Sequence, residues 1–211
     1  MGYKIVVGVS NRHVHLTQEH VEILFGEGHQ LTNIKDLGQP GQYACEETVT
    51  VVGPKNNMER VRILGPTRPE SQVEISFTDA RMSGIKADMK DSGNLEGTPG
   101  CTLIGPCGTV ELERGVIVAG RHAHFSIEDA KEAGVVDKER VQLKFDGPRA
   151  LIFEDVLCRV SEKFAAEVHI DTDEGNAAMA YNGQLCEVIK YEDQLGEDAT
   201  MEDCFAAAND V

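Results

Sequence analysis

Along most of this chain, hydrophobic and polar residues alternate with the period of a β-strand. Short β-branched runs (YKIVVGVS, ETVTVVG, RVRILG, SQVEISF, TVELERGVIVAG, VQLKF, RALIFEDVLCRV and AAEVHID) are separated by turn-forming stretches such as GPKNN, GPTRP, SGNLEGTPG, GPCG and FDGPR. Many short strands at close spacing predict a mainly β protein of small barrels or sandwiches rather than alternating β–α units. Helical patterns are few. LTQEHVEILFGEG offers Thr17 as N-cap, Glu19 in the first turn and a glycine at the end. FSIEDAKEAGV repeats the plan with Ser126, then Glu128 and Asp129, then Gly134. The acidic end, residues 191–211, reads as a weakly held helix or a tail.

Both helices belong to a repeat. Each follows an Arg-His-x-His: NRHVHLT at residues 11–17 and GRHAHFS at residues 120–126, the two histidines recurring 109 residues later. Each copy is a strand, an RHxH and a short capped helix, which favours two small domains, each with its own core. Downstream, QVEISFTDA (72–80) matches EVHIDTDEG (167–175) in a Val-x-Ile core followed by Thr-Asp. Aligning those cores sets Glu74 opposite His169.

Composition narrows the partners. With 36 acidic against 20 basic residues, the formal charge of −16 argues against broad nucleic-acid binding. It leaves room for an anionic small molecule, because a few arginines can make a local positive pocket. No apolar run has the length needed to cross a bilayer. The opening MGYKIVVGVS reads as a strand, not a signal peptide, so a cytoplasmic location is expected. The six cysteines contain no CxxC pair, and most of them read as small buried residues in a reduced compartment.

Chemistry is concentrated at the repeat. Side chains at i and i+2 of a strand share a face, so the two imidazoles of HxH project together and can hold one metal ion. Adding one ligand from a neighbouring strand gives His13, His15 and Glu74 at one site and His122, His124 and His169 at the other. Three ligands with an open position describe a catalytic zinc better than a structural one. Iron, manganese, cobalt and nickel accept the same donors. A single HxH is also met as stacked core or surface histidines; two equivalent copies favour metal. His20 and His29 have no repeat partner and read as ordinary polar residues.

Arginines accompany the histidines. Arg12 and Arg121 repeat immediately before them and read equally well as anion contacts or as strand-end charges. Arg68 lies six residues before Glu74 in a proline-bounded turn, where it can return over the metal and bind phosphate bidentately, unless it pairs with one of the many acids. Arg149 and Arg159 are further anion candidates with the same alternative.

HxHxxxE occurs twice, ending in Glu19 and Glu128, and matches the core of the cupin metal motif. That reading implies a bicupin-like oxygenase or isomerase. The Thr17 and Ser126 caps place both glutamates on helices instead, where the helix dipole favours an acid. A non-catalytic metal-binding protein is the third possibility.

Over almost its whole length the chain resembles the phosphate propanoyltransferase (PduL-type phosphotransacylase) family. The resemblance runs from VVGVSNRHVHLT through LGQPGQYACEETV, GPTRPESQVEIS, SGNLEGTPGCTLIGPCG and GRHAH to VHIDTDEGNAA. It implies reversible acyl transfer from acyl-CoA to phosphate, giving acyl phosphate and CoA, at two zinc ions between two small β-barrels. By this resemblance His13, His15 and Glu74 hold one zinc, His122, His124 and His169 the other, and Arg68 binds phosphate. Arg12, Arg121 and Arg159 are then candidates for contacts to CoA or phosphate. The implied barrels comprise residues 2–11 with 118–190, joined by strand exchange, and residues 12–117, which include a lid at 26–46. A homodimer is the family-level expectation, with no nucleic-acid or membrane partner. Microcompartment members carry an extra amphipathic helix before the first strand. Here the twelve residues before His13 read as a strand, which implies a free cytoplasmic form.

Overall fold

A computed structural model describes residues 2–191. The expected acidic helix or tail therefore lies, apart from Tyr191, outside the described residues. In chain order the elements are β1 (Lys4–Ser10), β2 (His13–His15), α1 (Gln18–Phe25), β3 (Asn33–Asp36), β4 (Tyr43–Val52), β5 (Asn57–Gly65), β6 (Gln72–Glu74), α2 (Phe77–Ser83), β7 (Met89–Lys90) and β8 (Cys101–Ile104). They continue as β9 (Thr109–Leu112), β10 (Val116–Ala119), β11 (His122–Phe125), α3 (Ile127–Ala133), β12 (Arg140–Phe145), β13 (Leu151–Val160), β14 (Glu167–Asp171), α4 (Thr172–Ala178) and β15 (Leu185–Ile189).

The strands form two bodies, as the many short alternating runs predict. One is a closed barrel in the order β1-β14-β11-β13-β12-β15, with β15 returning to pair with β1. Closure removes its free edges. Ile5, Val7, Phe125, Leu143, Phe145 and Ile170 fill its interior. The other is a nine-stranded sheet, curled into a half-barrel, in the order β7-β10-β6-β2-β5-β4-β8-β9 with β3 against β4. Its separate core includes Val14, Leu16, Leu24, Ile63 and Leu103.

Each repeat lends its first strand to the other body. β1 runs parallel to β14, with Gly8 beside His169. β10 runs parallel to β6, with Ile117 beside Glu74. Each RHxH thus begins where the chain leaves one body and enters the other. Within its own sheet, β2 is parallel to β5 and antiparallel to β6, and β11 is likewise parallel to β13 and antiparallel to β14.

The caps expected from sequence are present. Thr17 accepts from the His20 N–H at 3.1 Å, Ser126 accepts from the Asp129 N–H at 3.0 Å, and Gly134 is left-handed. Two further helices, α2 and α4, follow the second half of each repeat and were not expected. Each has a capping box, Ser76 with Asp79 and Asp171 with Glu174. α3 is equally short, but its RHxH and cap repeat those of α1, whereas α2 and α4 are signalled only by their own capping boxes.

Candidate metal centre

Strand period and register build two donor trios. In β2 and β11 the middle residues, Val14 and Ala123, are fully buried in the core, which turns the flanking histidines to the opposite face. Antiparallel pairing sets His13 beside Glu74 and His122 beside His169. In each trio one ligand atom per residue lies within 4.8 Å of the others. His13 Nε2 is 3.5 Å and His15 Nε2 3.9 Å from the Glu74 carboxylate.

Backbone carbonyls orient three of the rings. His13 Nδ1 lies 2.8 Å from the Asn11 carbonyl, His122 Nδ1 2.9 Å from that of Gly120, and His15 Nδ1 3.2 Å from that of Leu64. Donating there leaves each Nε2 lone pair facing the site, the arrangement typical of metal-ligating histidines. Glu74 is held in turn by the Gln72 amide and, at 3.0 Å, by the Ser92 hydroxyl. His124 Nδ1 and His169 Nε2 are buried without a hydrogen-bond partner among the described residues. Such orphaned atoms are costly, and a cation at the three histidines would satisfy both. The residues therefore fit a metal ion.

Electrostatics keep four of the six donors in the neutral form. Burial, reinforced by neighbouring cationic groups, pushes His122 and His169 down to about 4, His15 to about 3 and His124 to about 2. These rings are neutral near pH 7, with lone pairs available. Burial opposes ionisation of both His13 and Glu74, but their mutual attraction outweighs it, raising His13 and holding Glu74 well below the usual carboxylate range. Glu19 and Glu128 are exposed on α1 and α3 and belong to neither trio.

All six donors line one cleft of about 440 Å³ between the two bodies. Arg68 and Arg159 line it with them. The Arg68 N–H donates to the Leu16 carbonyl at 2.8 Å, which brings the proline-bounded turn back over the end of β2. Arg159 lies beside His124 in the β11–β13 register. Neither guanidinium has a hydrogen-bond or ion-pair partner among the described residues. Burial, with the nearby charge of Arg159, lowers the Arg68 pKa against the opposing pull of Glu74. Two close, unpaired guanidiniums invite an anion.

The other arginines and histidines singled out in the sequence are placed differently. Arg12 lines the cleft but is ion-paired with Asp79. Arg121 lies outside it: it pairs with Glu174 at 2.7 Å, donates to the Glu154 carbonyl at 3.0 Å and covers the Phe153 ring. Arg149, exposed in the turn before β13, does not line the cleft. His20 and His29 are tied to Ser71 and Glu47, away from both trios. No cysteine among the described residues lines the cleft, and burial pushes the Cys45 thiol up to about 11 and those of Cys101, Cys158 and Cys186 to about 12.

Sequence reasoning missed several cleft residues. Arg62 lines the cleft while donating to the Cys45 and Glu46 carbonyls, both at 2.8 Å. Gln39 reaches in from the loop between β3 and β4. Glu167 lies two residues before His169 on the same face of β14. The i, i+2 rule that found the HxH pairs also applies to Glu167-Val-His169; nothing local to Gln39 or Arg62 signals the cleft.

Fold and site together define a two-body β protein with paired metal-type donor trios and unpaired guanidiniums in a shared cleft. The sequence profile of the family described as phosphate propanoyltransferase matches residues 6–181. The chain is 56% identical over 188 residues to the phosphate propanoyltransferase of Thermotoga maritima, covering 89% of this chain and 90% of that one. Those of Clostridioides difficile and Listeria monocytogenes are 50% and 48% identical over 88% of this chain, covering 89% and 87% of their own lengths. This chain belongs to the phosphate propanoyltransferase family, a family of acyltransferases.

Proposed function

We propose that this cleft transfers a short acyl group, propanoyl or acetyl, reversibly between CoA and inorganic phosphate, with a zinc ion at each trio. The observation that carries the reading is the convergence of two donor trios and two unpaired guanidiniums on one cleft. His13, His15 and Glu74 would hold one ion and His122, His124 and His169 the other. Bound there, the ions supply Lewis-acid polarisation of the thioester carbonyl and a soft partner for the departing thiolate.

The chain's own groups do the rest. Arg68 and Arg159 bind phosphate by charge-assisted hydrogen bonds and hold one of its oxygens toward the carbonyl carbon. That oxygen adds to the carbon, and the resulting tetrahedral oxyanion collapses with cleavage of the carbon–sulfur bond. CoA leaves as thiolate and the acyl group remains on phosphate, so atoms and charge balance without an acyl-enzyme. The absence of cysteines from the cleft, among the described residues, supports this direct transfer. Leu37, Gly38, Gln39 and Gln42, inside the expected lid at 26–46, line the cleft, and a loop so placed would help to keep water from the reacting groups.

Release of CoA thiol from propanoyl-CoA tests the reading, with and without phosphate, before and after chelation and zinc replacement. The expected result is phosphate-dependent release that chelation stops and zinc restores. A folded, zinc-loaded protein that releases no thiol from propanoyl-CoA or acetyl-CoA would defeat it. The ratio of the two rates reports the acyl preference.

A further inference from the structure

The two trios occupy equivalent squares on equivalent strand pairs. On β2 and β6, His13 and His15 face Glu74 and Gln72; on β11 and β14, His122 and His124 face His169 and Glu167. The fourth corner is thus Gln72 in one square and Glu167 in the other. The difference is one of charge. The first trio contains its own carboxylate, and its fourth corner is a neutral amide that donates to Glu74. The second trio is three imidazoles, and its fourth corner is a carboxylate. With that corner counted, the two squares carry equal formal charge.

The surroundings are shaped around Glu167. A Cβ at Gly8 would lie 2.9 Å from Glu167 Oε1, and one at Gly38 would collide with Oε2. Only glycine at both positions leaves the carboxylate its place. Glu167 Oε2 lies 3.4 Å from His169 Nε2, the buried nitrogen that has no hydrogen-bond partner. An orphaned nitrogen and a carboxylate oxygen face the same space, which suits a cation.

A residue from the other body holds this carboxylate. Gln39, only 3% exposed, crosses from the loop before β4. Its Nε2 donates to Glu167 Oε2 at 3.2 Å and to the Ala165 carbonyl at 3.0 Å, while its Oε1 accepts from the Ala165 N–H at 3.3 Å. We propose that Glu167 is the counter-charge and positioning residue of the three-histidine site, and that Gln39 latches it there, so that retention of a cation depends on the seated loop. A dication among three neutral imidazoles gains from a nearby carboxylate, and carboxylates beside ligating histidines fix ring orientation. The inference rests on the two-ion reading and assigns the sites different means of charge compensation.

The test uses the full chain loaded with Zn²⁺ or Co²⁺, as wild type, Glu167→Gln and Gln39→Ala. Metal content after desalting is measured, then the rate at which each equivalent passes to a colorimetric chelator. Wild type is expected to carry two equivalents. The isosteric E167Q should release one equivalent about 10- to 100-fold faster, the usual effect of losing such a partner, and the other at the wild-type rate. The Co²⁺ visible spectrum should change only in the fast component. Q39A should fall between, because the carboxylate is present but untethered; it carries the test alone if E167Q fails to fold.

Wild-type release rates in E167Q would overturn the counter-charge, and wild-type rates in Q39A would overturn the latch. Faster loss of both equivalents, together with a lower melting temperature of the metal-free variant, would show a merely structural role and overturn the proposal. Wild type carrying fewer than two ions would overturn the two-ion reading beneath it, a separate failure.

Discussion

An arginine's role is set by what stands beside it. Arg121 is stapled between Glu174 and the Phe153 ring, Arg12 is neutralised by Asp79, and Arg68 and Arg159 face the cleft without an ion-pair partner among the described residues. An unpaired guanidinium keeps its donors for an incoming anion, whereas a paired one has already exchanged them for structure. Arg68→Ala is therefore expected to lower kcat/KM for phosphate by about 10²- to 10³-fold, the usual effect of removing a preorganised donor. Arg121→Ala should leave the KM for phosphate unchanged and lower the melting temperature instead. Equal phosphate kinetics in the two variants would remove Arg68 from the anion site. In sequence, Arg12 and Arg121 look alike, because both precede an HxH; their acidic partners come from positions far along the chain.

At the scale of elements, the segment between α1 and β4 is anchored at one carboxylate. Glu47, buried on β4, accepts from the Thr32 N–H and hydroxyl and lies 2.8 Å from His29 Nε2. Burial opposes its ionisation, but His29 and Thr32 outweigh that and hold its pKa below the ordinary value of 4.5. A carboxyl that titrates lower in the folded than in the unfolded chain contributes its full stabilisation above the unfolded value and loses it as pH falls toward the folded one. Glu47→Gln should cost about 1–3 kcal/mol in urea unfolding at pH 7. The gap from wild type should close as pH falls below 4.5. A pH-independent gap would exclude this carboxylate as the anchor. The strands were readable from their period, and α1 and α3 from a cap that each repeat carries just after its RHxH. α2 and α4, no shorter than α3, lack that repeated RHxH signal and carry only their own capping boxes.

For the whole molecule, the exchange of β1 and β10 is the organising event. Each HxH starts at a crossover, so both donor trios open on the space between the bodies rather than on opposite outer faces. Buried nitrogens without partners among the described residues are costly, and an ion at the proposed sites would relieve that cost. A ligand that binds only the folded chain adds about 2.7 kcal/mol per site at a hundredfold excess over its Kd. Zinc should accordingly raise the melting temperature and a chelator should lower it. Identical melting curves in zinc and in chelator would mean that the trios hold no ion.

Sequence alone determined what depends on neighbours within one element: mainly β structure, the caps at Thr17 and Ser126, and two histidines on one face of each short strand. Its internal repeat went further and set Glu74 and His169 at matching positions, because a duplicated unit reuses its own register. Tertiary structure decided which side chains complete the squares, which guanidiniums stay free and whether the trios share a cleft. Those outcomes depend on strand pairing between distant segments, on Gly8 and Gly38 yielding space to Glu167, and on Gln39 reaching across from the other body. Pairing of this kind is non-local: the period of a strand says which residues share a face, but not which strand will lie beside it.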